Sequence, residues 1–116
     1  MSDIKHLTRK INKFVKERDW KQFHNHKDMA LSLVLEATEV LEHFQWIASI
    51  KDINKHVKHK KADIADELAD VAIYLFELAD NLEIDIAKAV EAKLNKNSAK
   101  YPVDKAKGSA KKYTEL

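Results

Sequence analysis

Apolar residues return every three or four positions along most of this chain, the spacing of one helix face. Ile4, Leu7, Ile11, Phe14 and Val15 predict a first helix from about Asp3 to Arg18, capped by Ser2 or Asp3. An aromatic and His-rich connection, Asp19 to His26, follows. The stripe Ala30, Leu33, Ala37, Val40, Leu41 and Phe44 predicts a second helix over about Lys27 to Ala48, with Asn25 or Asp28 as its cap. Residues 49–60 are rich in Lys and His and weakly periodic, and read as a loop or a short helical connector. Ile64, Leu68, Val71, Ala72, Leu75, Leu78 and Ala79 predict a third helix from near Lys61 to about Asn81. Asp85 is placed to cap a fourth, carrying Ile86, Ala89, Val90 and Leu94 and ending before Tyr101-Pro102.

Four singly striped helices bury their faces by packing as a bundle, so the expected fold is all-α, of four-helix-bundle type. The second and third helices are apolar along their flanks as well. That points to self-association through helices, most simply as a symmetric homodimer. The helical domain is expected over residues 1–101, with a polar, Lys-rich tail over 102–116, either disordered or docked on a partner.

Composition supports this pattern. The 116 residues suit one domain, 45% hydrophobic and 34% charged. The single Gly and single Pro, Gly108 and Pro102, both lie near the C-terminal end, so helix breakers are absent before them. No cysteine is present, which excludes disulfides, Cys-ligated zinc and thiol catalysis. The N-terminal residues show no apolar signal region, and the most apolar run, Met29 to Ile47, is interrupted by Glu36, Glu39, Glu42 and His43. No membrane span is expected, and the expected location is the cytoplasm.

Net charge is only +2, but unevenly spread. Residues 62–91 carry nine acids against one Lys, net −8; residues 93–112 carry seven Lys against one Asp, net +6. Two attracting solvated faces are one reading. A metal-binding acidic centre beside a phosphate-binding basic segment is the other. Low net charge and the acidic centre argue against nucleic-acid binding.

The acids have a pattern of their own. Glu36-Ala37-Thr38-Glu39 lies on the second helix and Glu67-Leu68-Ala69-Asp70 on the third. Each pair is spaced i,i+3, on one helix face. If those faces pack together, four carboxylates converge. Two carboxylates ~5 Å apart repel by roughly 3 kcal/mol at an effective dielectric near 20. A divalent cation reverses that sign, and oxygen-only ligands favour Mg²⁺, with Mn²⁺ as a substitute. Di-iron bundles use Glu-x-x-His, and none of the six His residues has a Glu three positions before it.

Both Trp residues flank the acid-bearing second helix: Trp20 with Phe23 and His24 before it, Trp46 with His43 and Phe44 at its end. Indoles so placed suit base stacking. Tyr74 lies one turn beyond Asp70 on the acidic face. Lys93 and Asn97, with Lys100 one turn further, share a face of the fourth helix that suits phosphates.

Taken together, Arg18-Asp19-Trp20-Lys21-Gln22-Phe23-His24, Leu31-Ser32-Leu33 through Glu39, Leu41 through Trp46, Asp66 through Val71 and Lys96-Asn97-Ser98-Ala99-Lys100-Tyr101-Pro102 resemble the MazG-like nucleotide pyrophosphohydrolases. The likeness is to their short single-domain branch, which includes dCTP pyrophosphatases. It implies an all-α dimer or dimer of dimers that hydrolyses a (deoxy)nucleoside triphosphate to monophosphate and pyrophosphate with Mg²⁺. By position it implies Glu36, Glu39, Glu67 and Asp70 as metal ligands, and Trp20, His24 and Trp46 around the base. Tyr74, Lys93 and Asn97 would then meet phosphates or sugar. Glu36 and Glu39 are the catalytic candidates, Glu39 as general base. Two positions depart from the family pattern: Ala37 where many members have Glu, and Asn81-Leu82-Glu83 where the turn before the last helix often has Gly. The competing reading is a non-enzymatic helical module that binds a nucleotide or a partner.

Overall fold

A computed structural model describes residues 3–116; Ser2, one of the two cap candidates for the first helix, lies outside the described residues. Helix α1 spans Asp3–Glu17, α2 His26–Glu42, α3 Ile50–Asn81, α4 Ile86–Lys100 and the short α5 Val103–Ala106, with 3₁₀ turns at Lys21–Phe23 and Tyr113–Glu115. The described residues form helices and turns and no strand. None of the helices is long and apolar enough to cross a membrane.

The chain divides into two compact units, one ending at Glu83 and the other Ile84–Leu116. In the first, α2 and α1 both pack on α3. Val15 of α1, Met29 of α2 and Ala79 of α3 are its buried apolar residues, and Glu77 is buried with them at 3% exposure. Asp19 turns the chain after α1 through a left-handed φ of 53°, while Trp20 N–H reaches back to the Val15 carbonyl at 3.1 Å. Asn25 caps α2: its Oδ1 accepts from Asp28 N–H at 2.9 Å and its Nδ2 donates to the Asp28 carboxylate at 2.7 Å.

Two expectations need correction. Helix α2 stops at Glu42, not Ala48. Gln45 N–H bonds to the Leu41 carbonyl and Ile47 N–H to that of Phe44, so the backbone leaves the α-helix in turns. Meanwhile His43 Nδ1 lies 3.1 Å from His56 Nε2 and the Phe44 ring meets His56 edge-on, so the aromatic end of the helix is fastened to the next element. The second correction is the region 49–60, which is helical and continuous with α3. Ser49 Oγ accepts from Asp52 N–H at 3.1 Å and starts the helix. Lys60, at φ −116° and ψ 21°, interrupts it next to the start that the apolar stripe predicts for the third helix.

In the second unit, Asp85 caps α4 as expected, accepting from Lys88 N–H at 3.2 Å. The Lys-rich tail is folded: Tyr113 meets Tyr101 edge-on, ring centroids 6.0 Å apart, and Lys100 Nζ lies 4.8 Å from the Tyr113 ring centre. The first unit thus holds three of the four expected long helices, and α4 shares a unit with the tail.

Candidate metal and nucleotide site

Helices α2 and α3 run antiparallel. Met29, near the start of α2, touches Asn81 at the end of α3, whose Nδ2 donates to the Met29 sulfur at 3.1 Å; His43 and His56 meet near the opposite ends. In such a pair residues 36 and 39 fall level with 70 and 67. Accordingly Glu36, Glu39, Glu67 and Asp70 each present a carboxylate oxygen, all within 4.8 Å of one another. The convergence expected from the two i,i+3 pairs is therefore present.

These carboxyls repel one another. Glu36 is pushed above the ordinary carboxylate range by burial first, then by sharing a hydrogen bond with Glu39 and by the charges of Glu39, Asp70 and Glu67. Glu67 is raised mainly by its hydrogen bond with Glu39, then by burial and the charges of Glu39 and Asp70, with His43 opposing. One oxygen of Glu36, Oε2, is buried without any hydrogen-bond partner. A buried acceptor without a donor costs about 1–3 kcal/mol. The donor set and this orphan oxygen fit a hard divalent cation, which satisfies the lone pairs and offsets the charge.

From this cluster a polar line runs along α3. At 100° per residue Glu67, Asp70, Tyr74, Glu77 and Asn81 fall within one narrow sector. Asp70 to Glu77 is ~10 Å along the axis at 1.5 Å per residue, about the reach from a nucleotide's α-phosphorus to the far edge of its base. At the far end, His24 Nδ1 bonds to Glu77 Oε2 at 2.6 Å. Trp20 lies beside it, ring centroids 6.5 Å apart, and is itself braced edge-on by Phe14 at 5.7 Å. His24 and Glu77 line a cavity of about 300 Å³ together with Asn12, Lys16, Lys21 and Asp80.

Trp46 is elsewhere. Residues 20–24 precede α2 and Trp46 follows it, and a 17-residue helix is ~25 Å long. Trp46, 87% exposed, lies in a separate cavity with Lys55, His56 and His59. Within one chain Trp20 and Trp46 therefore do not share a pocket, contrary to the expectation that one base inserts near both. Lys93 is exposed and Asn97 half-buried on α4, in the second unit.

Comparison with known proteins gives the relatives of this architecture. A family model described as MazG-like matches residues 31–116. The chain belongs to the MazG-like family. This MazG-like chain is 41% identical over 104 residues to rat dCTP pyrophosphatase 1 and 39% to the human protein, in each case over 89% of its own length and 61% of theirs. It thus spans about three fifths of these curated relatives. A crystal structure of a pyrophosphatase from Archaeoglobus fulgidus superposes with a TM-score of 0.84 at 35% identity, covering 88% of this chain and 94% of that one. The region matched by the family model carries all four carboxylates, Tyr74, Trp46, Lys93 and Asn97. Trp20 and His24 lie before it.

Sequence reasoning misses two features of this MazG-like chain. Glu77 reads as one more acid in an acidic stretch, although its i+7 spacing from Asp70 places it on the Glu67–Tyr74 line. The His43–His56 pair gives no signal, because weak periodicity leaves residues 49–60 open between loop and helix.

Proposed function

We propose that this MazG-like chain hydrolyses (deoxy)nucleoside triphosphates between the α and β phosphates, giving the monophosphate and pyrophosphate. The relatives named dCTP pyrophosphatase favour dCTP or another dNTP as substrate; the role proposed with that activity is cleansing of the nucleotide pool. The observation that carries the reading is the convergence of four carboxylates from two helices, with one buried oxygen left unpartnered.

Glu36, Glu39, Glu67 and Asp70 would hold Mg²⁺, or Mn²⁺ in its place. When bound, the cation supplies Lewis-acid polarisation of the phosphate oxygens and offsets their charge. Glu39, an exposed member of the cluster, takes the proton of the attacking water as that oxygen bonds to the α-phosphorus. The bond from the α-phosphorus to the bridging oxygen breaks, and pyrophosphate leaves. Glu36, half-buried one turn before Glu39 on α2, would share the cation with that base. Tyr74, one turn from Asp70 along the line to Glu77, meets the sugar. Trp20 and His24 take the base, whose stacking on an aromatic ring contributes about 1–3 kcal/mol. Lys93 and Asn97 contact phosphates, from the same chain or from a second copy.

The second copy enters on two grounds. Leu31, Val34, Leu35 and Leu41 form an apolar ridge on α2 that stays exposed, a surface of the kind that marks association. Trp46 also reaches the base of Trp20 and His24 only when another chain supplies it. A homodimer or a dimer of dimers meets both requirements.

Incubation with Mg²⁺ and each dNTP, with separation of the products, tests the reaction. The expected products are dNMP and pyrophosphate; dNDP and orthophosphate would refute the α–β cut. Asp70→Asn is expected to lower kcat at least a hundredfold with helicity unchanged by circular dichroism. Retained turnover removes Asp70 from the site.

A further inference from the structure

Glu77 is a buried carboxylate, 3% exposed, at the far end of the polar line that Glu67, Asp70 and Tyr74 draw along α3. A buried charge is weak evidence for stability, since well-packed apolar residues in its place are often as stable or more so. Its one hydrogen-bond partner in the structure is the His24 ring, 2.6 Å away and about a fifth exposed. An ionised carboxylate only accepts, so the ring proton facing it belongs to Nδ1. In a neutral imidazole the other nitrogen, Nε2, is then an acceptor. The same ring lines the cavity that lies ~10 Å along α3 from the carboxylate cluster.

We infer that Glu77 is a positioning residue: it fixes His24 in the Nδ1–H tautomer, so that Nε2 meets the nucleobase as a hydrogen-bond acceptor and selects bases carrying an exocyclic amine. Cytosine and adenine offer an amino donor where thymine offers an oxygen acceptor; uracil carries the same oxygen. An oxo base sets lone pair against lone pair at Nε2, and a site built to bond one group rejects the analogue that lacks it. This rests on the proposed nucleotide reading and deepens it.

The test has a spectroscopic and a kinetic arm. ¹⁵N NMR of the imidazole in the unaltered 116-residue chain is expected to show His24 protonated at Nδ1 alone; a ring that carries a proton at Nε2 overturns the inference. Glu77→Leu removes the acceptor and is expected to lose the single tautomer. Its dCTP-over-dUTP preference in kcat/KM should fall at least tenfold, chiefly through KM. Glu77→Gln keeps an acceptor oxygen and is expected to retain the tautomer and most of the preference. An unchanged preference in Glu77→Leu, or a wild type that favours dUTP, overturns the inference. If Glu77→Leu does not fold, the wild-type spectrum and base preference decide. The two readings fail separately. A chain that cleaves no triphosphate but shows Nδ1–H and binds dCMP over dUMP keeps the dyad and loses the reaction. A chain that cleaves triphosphates with an Nε2–H ring loses the dyad alone.

Discussion

Among the described residues, Glu36 is the one whose side chain keeps a buried oxygen without a hydrogen-bond partner. It is half-buried, its Oε2 has no donor, and three other carboxyls face it. Glu36 and Glu67 titrate above their ordinary 4.5 in the folded, metal-free chain and at it when unfolded. As pH rises, the unfolded chain therefore releases these protons first. The contribution to stability is full below about pH 4.5 and is lost as pH rises through the raised folded values. The melting temperature of metal-free protein is expected to fall from about pH 4 to 7. Mg²⁺ should restore it near pH 7 and do little near pH 4, read by calorimetry with and without chelator. Glu36→Gln relieves the repulsion and adds an amide donor for Glu39 or Glu67. It is expected to raise metal-free stability by about 1 kcal/mol, flatten the pH dependence, weaken Mg²⁺ stabilisation and abolish turnover. The i,i+3 spacing makes the two acidic pairs legible in the sequence, and the packing of α2 on α3 makes them one cluster. Glu77 is not legible in the same way: spacing places it on the acidic line, but burial and a partner 53 positions away give it a role.

At the scale of elements, local signals locate most helix starts. Asn25 and Asp85 cap α2 and α4 as their side chains allow, because capping joins residues only three apart. Ser49 caps by the same local rule, with Asp52 three residues on, yet weak periodicity in 49–60 hides the signal. Long-range contact decides there: the arm of α3 before Lys60 is fastened to the end of α2 through His43 and His56. Glu83, in the turn before α4, adopts a φ of 57°. A left-handed conformation costs a residue with a Cβ roughly 1–2 kcal/mol, and glycine escapes it. Glu83→Gly is therefore expected to raise stability by about 1 kcal/mol, about 4 °C in melting temperature, with kcat/KM unchanged. A lower melting temperature would show that the Glu83 side chain contributes more than its backbone costs.

For the whole molecule, Leu31, Val34, Leu35 and Leu41 leave an apolar ridge exposed along α2. Light scattering after size exclusion is expected to show a dimer or tetramer. Leu35→Arg, at a position 57% exposed in the single chain, should shift it toward monomer and lower activity at least tenfold. A monomeric, fully active wild type would refute the shared site. The sequence by itself determined the all-helical class, most element limits and the two acidic pairs. Those follow from hydrogen bonds and side-chain spacings closed within one or two turns, which neighbouring residues specify. Only the tertiary structure decided that α2 ends early, that residues 49–60 continue into α3, and that Glu77 meets His24. Each depends on which helix face packs on which. That is set by burial summed over the whole unit, and no local spacing encodes it.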